Sequence, residues 1–246
     1  MKTKLMMVGL LAAGGLIMGQ KVKSPKEGEA VQAVLSATTP DQKIAAVDAL
    51  ISKFKDTEFK GVALDMAGEA YAQKGDSANA IVYGTRALEA DPKSFQAMLL
   101  VSGQLALITK EFDLDKDEKL KRAKKLATDA ITTVNATAKP NPKLTDEQWT
   151  GIQKDLVAQA HETLGVLAGV DKDWAVAITE YKLAIDNAAT PEVTTMVRLA
   201  ATYNYAKKYD EATAMADRVL AAPGAPDNLR KIATDEKARA AKAKAQ

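Results

Sequence analysis

The stretch GVALDMAGEAYAQKGDSANAIVYGTRALEADPKS, residues 61–94, decides the fold. Small and apolar residues recur every three or four positions on both sides of Gly75, which is typical of two helices joined by a tight turn. Pro92 ends the second run, because proline lacks the backbone N–H that a continuing helix needs. The stretch therefore predicts a helix–turn–helix unit.

The spacing of this stretch recurs twice further along the chain. In each copy, a small residue of the first run is followed twelve positions later by another in the second run. Small side chains at both positions allow two antiparallel helices to approach closely, with larger apolar neighbours interlocking around them. These pairs are Gly68 and Ala80, Gly165 and Ala177, and Ala200 and Ala212.

The pattern resembles the tetratricopeptide repeat (TPR), a helix–turn–helix unit of about 34 residues. The resemblance implies an all-α fold, a TPR-like α-solenoid of stacked antiparallel helix pairs with a C-terminal capping helix. We expect a repeat domain over residues 21–226 and a capping helix and tail, rich in alanine and lysine, over 227–246. The repeats are expected at about 27–60, 61–94, 95–136 with an insertion, 145–192 and 193–226.

Two irregular segments interrupt the middle of the predicted repeats. Glu111–Glu118 is a charged insertion, and Ala138–Lys143, which contains two prolines, is a linker. After the linker, Thr145 and Gln148 have the spacing of a capping box, in which each side chain satisfies a free backbone N–H at the start of a helix. We expect a long helix from this point, with Trp149 buried on its first turns.

Residues 1–20 differ from the rest of the chain. Lys2 and Lys4 form a basic start, and Leu5–Met18 is apolar but too short to cross a bilayer comfortably. This layout matches a secretory signal peptide, with an uncleaved N-terminal anchor as the alternative. We therefore expect a periplasmic or secreted protein. Cleavage would remove two of the 34 basic residues and leave them equal in number to the 32 acidic ones.

The composition excludes several classes of function. Hydrophobic residues make up 47% and charged residues 27%, as in folded soluble proteins, and the aromatic share of 5% disfavours a β-rich fold. The absence of cysteine excludes disulfides, thiolate metal sites and a cysteine nucleophile. The balanced charge gives no support for nucleic-acid binding.

Candidate catalytic and metal-binding residues are few. His161 is the single histidine, so the His161–Glu162 pair cannot begin a two-histidine zinc motif, and its repeat position predicts packing between helices. The alternating aspartates of 113–117 resemble a calcium loop, but Glu118 replaces its glycine and Lys124 its final glutamate. We expect no catalytic residue, no metal and no cofactor, and therefore no enzyme activity.

The TPR resemblance implies that function resides on a surface. In that family the first helices of the repeats line a concave groove that binds an extended peptide or a partner helix. An apolar groove with an acidic end would suit a peptide with apolar anchors and some positive charge. The alternative is that neighbouring helices bury the apolar members. The candidate partner-binding residues are Asp65, Glu69, Gln73, Leu99, Leu107, Glu162, Val166, Val197, Ala201, Asn204 and Tyr205.

Two functions are consistent with these expectations. The first is a non-catalytic adaptor or scaffold of the cell envelope that binds a protein or peptide of unknown identity. The second is a structural subunit of an envelope complex, held at the membrane by an uncleaved Leu5–Met18 segment. Peripheral membrane contact through that segment or the basic tail belongs to the second function.

Overall fold

The computed structural model of the protein describes residues 20–246, and these form eleven α-helices and no β-strand. The expected signal peptide or anchor at 1–20 lies outside the described residues, apart from Gln20. The all-α fold class is confirmed. The helices are α1 Pro25–Ser36, α2 Pro40–Lys53, α3 Lys60–Gln73, α4 Ser77–Ala90, α5 Phe95–Ile108, α6 Lys116–Ala136, α7 Asp146–Val170, α8 Trp174–Asn187, α9 Val193–Tyr205, α10 Tyr209–Ala221 and α11 Asp227–Lys244.

The described chain divides into two compact units. The first contains residues 20–108 and 118–149, and the second contains residues 109–117 and 150–246. In the first unit each helix from α1 to α5 packs against the next, and in the second the same holds from α8 to α11. No helix of residues 20–246 has a stretch long and apolar enough to cross a bilayer.

Small residues set the distance between paired helices in both units. A Cβ atom on Gly68 of α3 would lie 3.3 Å from the carbonyl oxygen of Ala80 on α4 and 2.6 Å from Leu100 Cδ2 on α5. A Cβ atom on Gly165 of α7 would lie 2.7 Å from the ring of Tyr181 on α8. At both glycines a Cβ atom would press against a neighbouring helix, although a different neighbour fills the space beside each.

The turns and helix starts follow from local residue chemistry. Gly75, expected in the turn of the first repeat stretch, has a φ value of 77°, and Lys207 between α9 and α10 has a φ value of 60°. Lys172 adopts the same left-handed conformation between α7 and α8, with φ of 57°. At the start of α7, Gln148 N donates to Thr145 Oγ1 at 3.1 Å and Thr145 N donates to Gln148 Oε1 at 2.8 Å, which completes the expected capping box.

Each unit has its own apolar core. In the first unit Val47, Leu50 and Leu64 are fully buried between the helix layers. In the second, Leu199 and Ala212 are fully buried, and Ala233 and Ala240 of α11 join the same cluster. The C-terminal helix therefore covers an apolar surface of α9 and α10, as a capping helix must.

Candidate partner-binding groove

A cavity of about 440 Å³ opens within the first unit. Its walls come from the end of α1, the start of α2, one face of α3 and the start of α5. Three of the candidate groove residues, Asp65, Glu69 and Gln73, line it together because residues four positions apart share a helix face. Its apolar wall includes Leu35, Val62, Met66 and Phe95.

The carboxyl group of Asp65 is buried beside this cavity. The residue is 8% exposed, and its Oδ1 atom has no hydrogen-bond partner among the described residues. Burial raises the pKa of Asp65 well above its ordinary value, and the nearby Glu69 carboxylate raises this pKa further. A buried acceptor without a partner is stabilised by a hydrogen bond from any donor that can reach it.

Glu69 is half-buried one helical turn from Asp65. Burial raises the pKa of Glu69 to about 7, and the positive charge of Lys43 partly opposes the rise. The Lys43 ammonium donates to the carbonyl oxygen of Val34 at 2.5 Å, and burial lowers the pKa of Lys43. The inner wall thus holds the two carboxyl groups and the Lys43 ammonium, and Asp91 and Lys93 at the edge offset each other, which leaves one excess negative charge when all these groups are ionised.

Gln96 adds an unsatisfied donor to the same wall. It lies on the first turn of α5, and its Nε2 atom is buried without a hydrogen-bond partner in the described part of the chain. Lys43 and Gln96 were not predicted from the sequence, because the candidates were chosen on one face of the first helix of each repeat. Lys43 lies on a second helix, and the positive charge near Glu69 depends on packing that the sequence does not display.

In the second unit, the candidate residue Glu162 is paired within the chain. Arg198 Nη1 of α9 contacts Glu162 Oε1 of α7, and the two side chains are 38% and 19% exposed. Burial raises the pKa of Glu162, while Arg198 and a hydrogen bond with Thr195 oppose the rise. When the repeats are aligned by their recurring small residues, Glu162 occupies the position of Asp65, and Arg198 occupies the position of Leu100.

Two candidate residues of α9, Asn204 and Tyr205, contact α11. Asn204 is 5% exposed, and its Nδ2 atom donates to the carbonyl oxygen of Glu236 at 2.9 Å and to Glu236 Oε2 at 2.7 Å. The Tyr205 ring stacks on Trp174 with centroids 4.8 Å apart, and the Arg239 guanidinium lies 4.5 Å from its centroid. The chain itself therefore covers part of this face, while Tyr205 stays 50% exposed.

The remaining candidates lie in different environments. Leu99 and Val197 are buried, at 3% and 7% exposed, so neighbouring helices cover them. Val166 packs against the core of the second unit, and Ala201 is half-buried. Leu107 on α5 is 68% exposed.

His161 contacts an acidic neighbour inside the second unit. Its Nδ1 atom lies 2.7 Å from Glu180 Oε2, so the ring bridges α7 and α8 at the position where helix packing was expected. The described residues contain no group of three or more histidine or acidic residues arranged to hold a metal ion.

Comparison with solved structures identifies the type of fold. No protein-family model and no curated protein sequence matches the chain. A thermophilic TPR protein from Thermus thermophilus is 15% identical, with a TM-score of 0.55 over 86% of this chain and 95% of that one. MamA from Desulfovibrio magneticus is 16% identical, with a TM-score of 0.59 over 81% of this chain and 96% of that one. The chain therefore has a TPR-like fold.

Proposed function

We propose that the protein is a non-catalytic adaptor of the cell envelope that binds a segment of another protein in the cavity of its first unit. The observation that supports this most is the cavity itself. It combines an apolar wall with polar atoms that are buried and without partners among the described residues, and α3 and α5, which line it, are first helices of the kind that the TPR resemblance expects to bind a partner.

The chemistry of the cavity favours a peptide over a flat protein surface. Its volume of about 440 Å³ is large enough for a few side chains of a bound segment. Val62, Met66 and Phe95 offer apolar contacts next to polar groups. A peptide with an apolar anchor beside a polar residue would satisfy both parts of the wall.

Site-specific photo-crosslinking tests the binding face. A benzoylphenylalanine residue replaces Met66, which lines the cavity, or Val82 on α4, which is 50% exposed and outside it. We expect a defined crosslinked partner from position 66 and none from position 82 in cell-envelope extract. Crosslinks of equal yield at both positions, or none at 66, would contradict the proposed binding face.

A purified partner then allows the cavity wall to be tested directly. Val62→Glu places a charge on the apolar wall, and Ala45→Glu places one on an exposed position of α2. Only the first substitution should weaken binding of the crosslinked partner, by tenfold or more. Equal affinity of both variants would place the interaction elsewhere.

The envelope location is proposed from residues 1–20. The basic start followed by the apolar Leu5–Met18 segment favours export, and the same segment favours the second candidate function, a membrane-anchored structural subunit. The intact mass of the native protein separates them. Loss of about 20 residues and recovery from the periplasm would support the adaptor. A chain that starts at Met1 in the membrane fraction would support the anchored subunit.

A further inference from the structure

We infer that the cavity of the first unit binds an arginine side chain of the partner, whose guanidinium is held by Asp65 and Glu69. This inference rests on the proposed binding of a protein segment in that cavity. It adds the chemical identity of the group that enters and the residues that recognise it.

The first argument is that the buried carboxyl group of Asp65 has an oxygen without a hydrogen-bond partner in the described part of the chain. Asp65 is 8% exposed, lines the cavity and has an Oδ1 atom without a partner among the described residues. Buried polar atoms without partners are uncommon in folded proteins, because each costs desolvation free energy without a compensating hydrogen bond. A ligand that supplies N–H donors removes that cost.

The second argument comes from the repeat register within the same chain. Glu162 occupies in α7 the position that Asp65 occupies in α3, and the guanidinium of Arg198 on the following first helix contacts it. In the first unit the residue equivalent to Arg198 is Leu100, an apolar side chain that packs against Gly68. The second unit thus provides a cation at this acid, whereas in the first unit Lys43 acts on Glu69 and the described residues place no guanidinium at the equivalent position beside Asp65.

The third argument is the balance of charge around the cavity. Lys43 of α2 acts on Glu69, and Asp91 and Lys93, exposed at the cavity edge before α5, offset each other. With Asp65 and Glu69 both ionised, one negative charge remains for a ligand to neutralise. A guanidinium has five N–H donors in a planar fork and can contact two carboxyl groups at once, which suits this pair better than an ammonium.

Binding of such a group releases protons. Burial raises the pKa of Glu69 to about 7, so this carboxyl group is partly protonated in the free protein near neutral pH, and burial raises the pKa of Asp65 as well. Only the ionised forms attract a cation. Affinity for an arginine peptide should therefore increase as the pH rises from about 5.5 to 8. Calorimetry in buffers of different ionisation enthalpy should report proton release at pH 6.5.

The test uses blocked pentapeptides and the full mature chain. The probe Ac-Ala-Leu-Arg-Leu-Ala-NH₂ is compared with two peptides that carry citrulline or lysine in place of arginine. Citrulline has the shape of arginine without its charge. We expect the citrulline peptide to bind at least about tenfold more weakly, and the lysine peptide to lie between the two.

Variants assign the effect to the carboxyl pair. Asp65→Asn and Glu69→Gln should each weaken arginine-peptide binding about tenfold and reduce proton release, and circular dichroism checks that both remain folded. Glu29→Gln, an exposed acid on α1, is the charge-matched control and should change neither.

Equal affinity for the arginine and citrulline peptides, or for the wild type and both cavity variants, would overturn the inference. Lysine binding as tight as arginine binding would overturn the choice of a guanidinium. If crosslinking at position 66 still captures a partner in those cases, the proposed function stands and only the recognised group is wrong.

Discussion

The two units use the same repeat position in opposite ways. Asp65 of α3 and Glu162 of α7 are equivalent acids on first helices, and both are largely buried. Glu162 is paired with Arg198, whereas Asp65 lines a cavity and its buried Oδ1 atom has no hydrogen-bond partner among residues 20–246. The fold therefore determines the position of the acidic side chain. The first helix of the following repeat determines whether that acid is neutralised within the chain or is available to a ligand.

The largest expected effect comes from the acid pair in the first unit, because burial of the Glu69 carboxyl group lowers the free energy of unfolding at high pH. The pKa of Glu69 is raised from 4.5 to about 7, so the folded state binds more protons than the unfolded state between these values, and stability falls as the pH rises through this window. Glu69→Gln removes the cost and should stabilise the protein by about 1–3 kcal/mol at pH 8 and by little at pH 4. Urea unfolding at both pH values measures the difference. A difference that does not change with pH would contradict the burial of an ionisable Glu69.

A second test sharpens the comparison at the equivalent glycines. In Gly165→Ala the new Cβ meets the buried ring of Tyr181 at 2.7 Å, and we expect a loss of about 2 kcal/mol. In Gly68→Ala the closest atom is the flexible end of Leu100, and the gain in helix propensity offsets part of the clash, so we expect a loss below about 1 kcal/mol. Tryptophan fluorescence in a Trp174→Phe background follows Trp149, and in a Trp149→Phe background follows Trp174, so the two signals are measured separately. A larger loss for Gly68→Ala would show that Leu100 cannot move aside and that the first interface is the more tightly packed of the two.

A third test breaks the internal ion pair of the second unit. Arg198→Met keeps the apolar part of the side chain but leaves Glu162 without its cation, and should destabilise the second unit by about 1 kcal/mol, since Arg198 is 38% exposed. Arg218→Met on α10, an exposed arginine of the same unit, is the control and should have little effect. Thermal unfolding followed by Trp174 fluorescence in a Trp149→Phe background measures both. Equal stability of the two variants would show that Glu162 does not depend on Arg198.

The smallest expected effect concerns the helix that covers the groove face of the second unit. Arg239→Ala removes the guanidinium 4.5 Å from the Tyr205 ring and should weaken the attachment of α11 by about 0.5–1 kcal/mol. Lys231→Ala, an exposed residue of the same helix, is the control. Hydrogen exchange of the α11 amides should accelerate in the first variant and not in the second. Unchanged exchange in both would exclude a role of Arg239 in holding α11 on α9.

The sequence predicts the fold from short-range regularities. Gly68 and Ala80 lie at the matched interval that close helix packing requires, and this local pattern suffices to specify the helix pair. The same periodicity places Asp65, Glu69 and Gln73 on one face of α3, so part of the groove could also be predicted.

The rest of the groove depends on contacts between distant elements. The influence of Lys43 on Glu69 requires α2 to pack against α3, and the cover on Asn204 comes from Glu236 on α11. Leu99 could not be assigned in advance, because an apolar residue at a groove position is equally compatible with a partner contact and with burial by a neighbouring helix.

The most direct test of the account is a ¹³C NMR measurement of the side-chain carboxyl signals while the arginine pentapeptide is added at pH 6.5. We predict that the signals of Asp65 and Glu69 shift towards their ionised positions, while the signal of Glu162, already paired with Arg198, stays in place. Signals of Asp65 and Glu69 that do not move at saturating peptide, or a shift of Glu162 as large as theirs, would contradict it.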